Sequence, residues 1–181
     1  MSSTPPAPPS LWDFSVQLYG QPGVADACLS LQEQHGLDVN LLLFGIWSDL
    51  FGNGGLDLEA FERITREASA WRDQVIIPTR EARRAAKRGH PSLTASESEA
   101  VYRRMLDTEL ALEKTEQTII ERIAADAANV RPVVASEPGA PSRFLDWYLD
   151  DARVIATQEV CQSLETIASK SRAFGKFRLD Q

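Results

Sequence analysis

Three polar residues at the head of an apolar run have side chains fit for chemistry. In "HGLDVNLLLFGIW", His35 to Trp47, an imidazole, a carboxylate and a carboxamide (His35, Asp38 and Asn40) stand within six residues. Converging on one small ligand, they would supply a proton carrier, an acceptor and a mixed donor–acceptor. The same residues also make a helix junction. Gly36 can close one helix in the left-handed conformation, and Asp38 can accept from the first free N–H groups of the next. An imidazole in a last turn suits the negative end of the helix dipole. Cap chemistry therefore accounts for every polar residue in the stretch, and it is the simpler reading.

The strongest charge feature lies between Pro78 and Gly89. Arg80, Arg83, Arg84, Lys87 and Arg88 face a lone Glu81, a local +4 in a chain of net charge −7. Such a helix can hold phosphate or carboxylate, dock an acidic protein, or be neutralised by acids of its own chain. With acids in excess elsewhere, internal neutralisation is the expectation. The competing reading is an anionic-ligand pocket in which Arg80, Arg83 and Arg84 hold the charge beside Trp47, Trp71 and Trp147.

Other patterns fail on inspection. "DLFGNGGLDLEAF" has the glycine of a calcium loop, but Phe51 and Ala60 occupy its third and twelfth positions, and the twelfth should be a bidentate glutamate. Asp146, Asp150 and Asp151 in "DWYLDD" could hold a divalent cation. They also sit where acids favour a helix start, and they have no second acid cluster opposite. His35 and His90 offer neither HExxH nor E-x-x-H spacing. No nucleophile elbow, P-loop or dinucleotide fingerprint is present. No catalytic residue, metal or cofactor is expected.

These side chains must be positioned by helices. Apolar periodicity is helical nearly throughout. The expected helices begin with one capped by Ser10 (11–18), one from about Pro22 to Gly36, one behind Asp38 up to "GNGG", and one behind Asp57 carrying Phe61, Ile64, Ala68 and Trp71. A break or kink near Pro78 precedes the basic helix. Thr94 and Glu97 form a capping box for a long helix to about Ala128, with an inward stripe of Val101, Met105, Leu112, Ile119 and Ile123, and Thr108 and Thr115 between. "RPVVASEPGAPS" is a loop. Ser142 starts a last long helix to about Phe174, with Leu145, Leu149, Ala152, Ala156, Val160, Ser163 and Ile167 inward. "QVIIPT" and "RPVVA", the only strand candidates, are short and broken by proline. The expected fold is all-α: a compact N-terminal helical cluster packed on a pair of long antiparallel helices. The domain organisation is a Pro-rich disordered tail (1–10) and one helical domain (11–175), divided into 11–89 and 94–175.

With 181 residues, 43% apolar and 25% charged, the chain has the make-up of a soluble globular domain. Its acidity disfavours nucleic acid and anionic lipid as partners. The longest apolar run, Val39 to Trp47, is too short to span a bilayer. "MSSTPPAPPS" lacks the basic and apolar regions of a signal peptide. Cys28 and Cys161 show no metal spacing, which suits reduced thiols in the cytoplasm.

"CLSLQEQHGLDVNLLLFGIW" followed by "WRDQVIIPTREARRAAK" resembles a bacterial family of helical proteins classified only as a domain of unknown function. The shared pattern is CLxLQ, then GxDVNLLLFxxW, then WRxxVxxPxRxxR, and the resemblance spans about Trp12 to Lys87. It implies a helical bacterial protein and brings no activity. The function expected is a non-enzymatic helical interaction or scaffold protein with a protein partner or a second copy of itself. The alternative is a small-molecule binding protein or enzyme with a pocket near the basic helix, involving His35, Asp38, Asn40, Trp47, Trp71, Arg80, Arg83 and Arg84.

Overall fold

A computed structural model of the chain describes residues 8–51, 56–130 and 143–179. The expected tail lies outside it as far as residue 7, as do the "GNGG" turn, the "RPVVASEPGAPS" loop and the Ser142 cap.

The chain is all-α. α1 (Leu11–Tyr19) starts at Ser10, whose hydroxyl accepts from the Asp13 N–H at 3.1 Å. Leu11, Phe14 and Leu18, spaced for one face, are fully buried. α2 (Val24–His35) ends at Gly36, which has φ +67. The Leu37 N–H then reaches back to the Leu31 carbonyl at 3.2 Å, a left-handed termination that favours glycine. Nothing lies within 4 Å of a Cβ added at Gly36, so Gly36→Ala tests backbone strain alone. It is expected to cost about 1 kcal/mol in urea denaturation.

α3 (Val39–Phe51) is the central helix. Val39, Leu41, Leu42, Leu43, Phe44 and Ile46 are all buried, so it is covered on every side. A Cβ on Gly45 would lie 3.3 Å from that of Leu145, which shows how closely α7 (Arg143–Asp151) crosses it. Phe144 joins the two helices to α4 (Leu58–Trp71). Its ring meets Phe44 at 4.8 Å and Phe61 at 5.2 Å, both edge-on, a favourable aromatic geometry.

A break or kink was expected near Pro78; the helix is not broken there, and the irregularity is a π-helical turn just before the proline. Pro78 lacks the N–H that the Gln74 carbonyl would accept from. The chain accommodates this with a π-helical turn, Arg72–Ile76, and continues into α5 (Ile77–Arg88). α5 folds back through Gly89–Thr94 onto α6 (Ala95–Val130). The capping box is present: Thr94 N–H donates to Glu97 Oε2 at 2.8 Å, and Glu97 N–H donates to Thr94 Oγ1 at 3.3 Å. Of the two strand candidates, "QVIIPT" is helical, and "RPVVA" lies outside the described residues.

The long antiparallel pair also takes a different form. α6 lies mainly on α5 and α4, whereas α8 (Gln158–Leu179) lies mainly on α2 and α3. The expected last helix is two helices. α7 ends at Asp151, and the turn after it holds Arg153, a non-glycine residue at φ 51, where the Val154 N–H closes onto the Leu149 carbonyl at 3.1 Å. Thr157 then caps α8 through Val160. Ala152 and Ala156, expected inward, are exposed in the joint.

Candidate functional site

The inner face of α6 carries polar groups that the expected apolar stripe did not include. Glu109, Glu116 and Gln117 are no more than 4% exposed and stand in line with Ile120 and Ile123. Of the apolar stripe read from the sequence, Ile123 is buried, but the rest is turned aside: Val101, Thr108 and Thr115 are exposed, and Met105, Leu112 and Ile119 are only half-buried. Two polar clusters fill this face.

In the first, α5 sets Arg80 and Arg83 against α6. Arg80 donates to Glu109 at 2.7 Å and to Glu113 at 2.9 Å, and Arg83 donates to both oxygens of Glu109. Burial would raise the Glu109 pKa, but the hydrogen bonds from Arg83 and Arg80 outweigh it and hold the carboxyl below its ordinary range. Glu113 goes the other way. Its burial exceeds what Arg80 alone returns, and the nearby Glu109 charge adds to the rise. Arg84 stands 3.6 Å from Glu33 and is largely exposed. The basic helix is therefore neutralised within the chain at its two inward arginines.

The second cluster begins at the α2–α3 junction. Asp38 does cap α3, its Oδ1 accepting from the N–H groups of Asn40 at 2.9 Å and Leu41 at 3.5 Å. It is also 3% exposed, far more buried than a cap requires. Its backbone N–H donates to the Tyr148 hydroxyl at 2.6 Å, and Arg72 of the π turn approaches Oδ2 at 3.7 Å. Asp38 Oδ2 and Glu116 Oε1 are both buried, and neither has a donor from the rest of the protein. The two carboxyls lie within hydrogen-bonding reach of each other. A single hydrogen held between them satisfies both oxygens, as in other buried acid pairs. Burial first, and the Asp38 charge second, push the Glu116 pKa well above the usual carboxylate range. Glu116 Oε2 accepts from Asn40 Nδ2 at 2.5 Å, and Asn40 Oδ1 accepts from Gln117 Nε2 at 2.7 Å. Gln117 Nε2 also donates to the Ser15 hydroxyl at 3.1 Å.

The two clusters meet at a pocket of about 430 Å³ between α1, α2, α3, α5 and α6, within the range of about 300–1,000 Å³ usual for small-molecule sites. Trp12, Val16, Tyr19, Leu29, Leu106 and Leu110 form its apolar wall. Ser15, Asn40, Gln117, Arg80, Glu109 and Glu113 supply its polar part. Cys28, which contacts Tyr19, is buried, and that burial raises its thiol to about 11. That burial disfavours the thiolate on which nucleophilic chemistry depends.

Of the residues singled out from sequence, Asn40, Arg80, Arg83 and Arg84 line the pocket, and Asp38 supports it through Glu116. His35 and the tryptophans stand elsewhere. Trp47 stacks on Phe44 and donates to the Pro9 carbonyl at 3.0 Å. Trp71 donates to the Leu112 carbonyl at 3.1 Å, and Trp147 packs on Phe61. The residues missed are Trp12, Glu109, Glu113, Glu116 and Gln117. The one signal for the glutamates was their i, i+4, i+7 spacing opposite Arg80 and Arg83. Among the described residues, no three His, Cys, Asp or Glu side chains group to hold a metal, and no helix is long and apolar enough to cross a membrane.

Neither the curated proteins nor the solved structures contain a match to the chain. A family described as "protein of unknown function (DUF2390)" matches residues 10–120. That segment runs from the Ser10 cap into α6 and contains every residue lining the pocket. The match covers more than half of the chain, and the protein belongs to the DUF2390 family.

Proposed function

We propose that the protein is a non-catalytic binding protein whose pocket between α1, α2 and α6 receives a small amphipathic molecule. One observation carries this reading. Val16, Leu29 and Leu110 are 53%, 47% and 44% exposed, and all three gather at one pocket that also has a polar part. Isolated exposed leucines need no explanation; apolar side chains converging on a concave site suit a ligand that covers them. The arginines argue against a dedicated anion site, because Arg80 and Arg83 are already engaged by Glu109 and Glu113.

The test is a fragment screen by NMR, with shifts expected on Trp12, Leu29 and Gln117. Leu110→Glu is expected to change stability by less than about 0.5 kcal/mol, as a surface substitution, and to abolish those shifts. A screen with no shift at the pocket, or shifts indifferent to Leu110→Glu, overturns the reading.

A protein-interaction role is the second reading, and the same exposed rim supports it, since a partner's apolar side chain could occupy the pocket mouth. Light scattering separates the two. Self-association that Leu110→Glu abolishes favours the interaction role, and a monomer that takes up fragments favours the first.

A further inference from the structure

The hydrogen-bond direction through the buried cluster constrains the chemistry of a ligand in the pocket. Glu116 Oε2 accepts from Asn40, so the Glu116 hydrogen belongs on Oε1, where Asp38 Oδ2 receives it. That placement fixes the Asn40 carboxamide with nitrogen toward Glu116 and oxygen toward Gln117. Asn40 in turn fixes Gln117. Both hydrogens of Nε2 are used, on Asn40 and Ser15, which leaves Oε1 as the end of the chain. Turning the Gln117 amide over would set two acceptor oxygens against each other. Turning Asn40 as well would take the hydrogen from the Asp38–Glu116 pair and leave two carboxyl oxygens facing each other.

Gln117 is 2% exposed and lines the pocket, yet Oε1 has no donor. A buried acceptor without a partner is costly, and a ligand donor would relieve that cost. The raised pKa of Glu116 agrees with the hydrogen being in place. Charge narrows the class further. Arg80, Arg83 and Arg84 in the lining are balanced by Glu33, Glu109 and Glu113. An anion would have to compete with those glutamates for the arginines, and a cation would meet the arginines themselves.

We infer that the pocket takes an uncharged ligand with an apolar body and a hydrogen-bond-donating head, a primary amide or a hydroxyl, held at Gln117 Oε1. This rests on the pocket reading above, and the experiment separates the two. Five probes share one ring and differ only in the head group: benzamide, benzyl alcohol, methyl benzoate, benzoate and benzylammonium. Each is titrated into the full chain and followed by NMR at the Trp12 indole and the Gln117 carboxamide. Benzamide and benzyl alcohol are expected to bind most tightly, benzamide about tenfold better than the acceptor-only ester. Gln117→Met is expected to keep ring binding and erase that preference. Should the variant not fold, the rank order in the wild type decides alone. Benzoate, benzylammonium or the ester binding as tightly as benzamide overturns the ligand class and leaves the pocket standing. If no probe perturbs Trp12 or Gln117, the pocket reading itself is overturned.

Discussion

Replacing Glu109 with alanine is expected to destabilise the protein by about 3–5 kcal/mol, the usual consequence of removing one partner from a buried ion pair. Glu109 is only 5% exposed at its side chain and receives both Arg80 and Arg83, themselves 15% and 20% exposed. Without it, Arg83 loses its carboxylate and Arg80 keeps only Glu113. Urea denaturation of the two proteins at neutral pH gives the difference. A loss below about 1 kcal/mol would mean that the arginines reach water and the pair behaves as a surface salt bridge. Acid should act in the same direction. The Glu109 pKa is lowered in the fold, so its stabilisation is complete above the unfolded glutamate value and is lost as pH falls through the folded one.

Glu116→Leu should cost about 3 kcal/mol or more, because Asn40 Nδ2 loses its acceptor and Asp38 Oδ2 loses its hydrogen in the dry interior. Glu116→Gln is the informative contrast. A glutamine nitrogen can donate to Asp38 while its oxygen accepts from Asn40, which reproduces the protonated acid. The pH dependence then separates them. The Glu116 pKa is raised from the ordinary 4.5, so the stabilisation is fully present below that value and declines as pH rises through the folded one. Wild-type stability is therefore expected to fall from about pH 5 toward about pH 10. Glu116→Gln should flatten most of that decline and leave the part due to Glu113, which is raised as well. Tyr19 and Tyr148 are also raised, by burial, but titrate only above their ordinary 10.0. Identical slopes in the two proteins would refute the shared hydrogen.

Much of this architecture is legible in the residues. Ser10, Asp38, Asp57 and the Thr94–Glu97 box all start helices where cap chemistry places them, and Gly36 ends one. These are local effects between residues a few positions apart. What depends on distant partners is hidden. A stripe read by hydrophobicity alone puts Val101 inside and Glu116 outside, the reverse of what α6 does. Three buried polar side chains are stable there only because Arg80, Arg83, Asp38 and Asn40 come from other helices to meet them. The end of α7 is hidden for another reason. Arg153 takes a left-handed conformation that only a glycine or asparagine would have advertised. Asp38 shows both sides: its role as a cap is written in "GLDVN", whereas its pairing with Glu116, 78 positions on, is not.

The π-helical turn at Arg72–Ile76 has a consequence for how the chain tolerates insertions and deletions. α4 and α5 are nearly one continuous rod, and both lie along α6. A wide turn holds one residue more than an ordinary one, so it stores a spare residue between the two halves of the rod. Loss of a single codon there would convert it to an ordinary turn and leave everything after it in phase, whereas the same loss in the regular turns of α4 would rotate everything after it by about 100°. In that second case Arg80 and Arg83 would swing off Glu109 although neither had changed. The register of the protein's charges is thus buffered ahead of the charges themselves, at Arg72–Ile76.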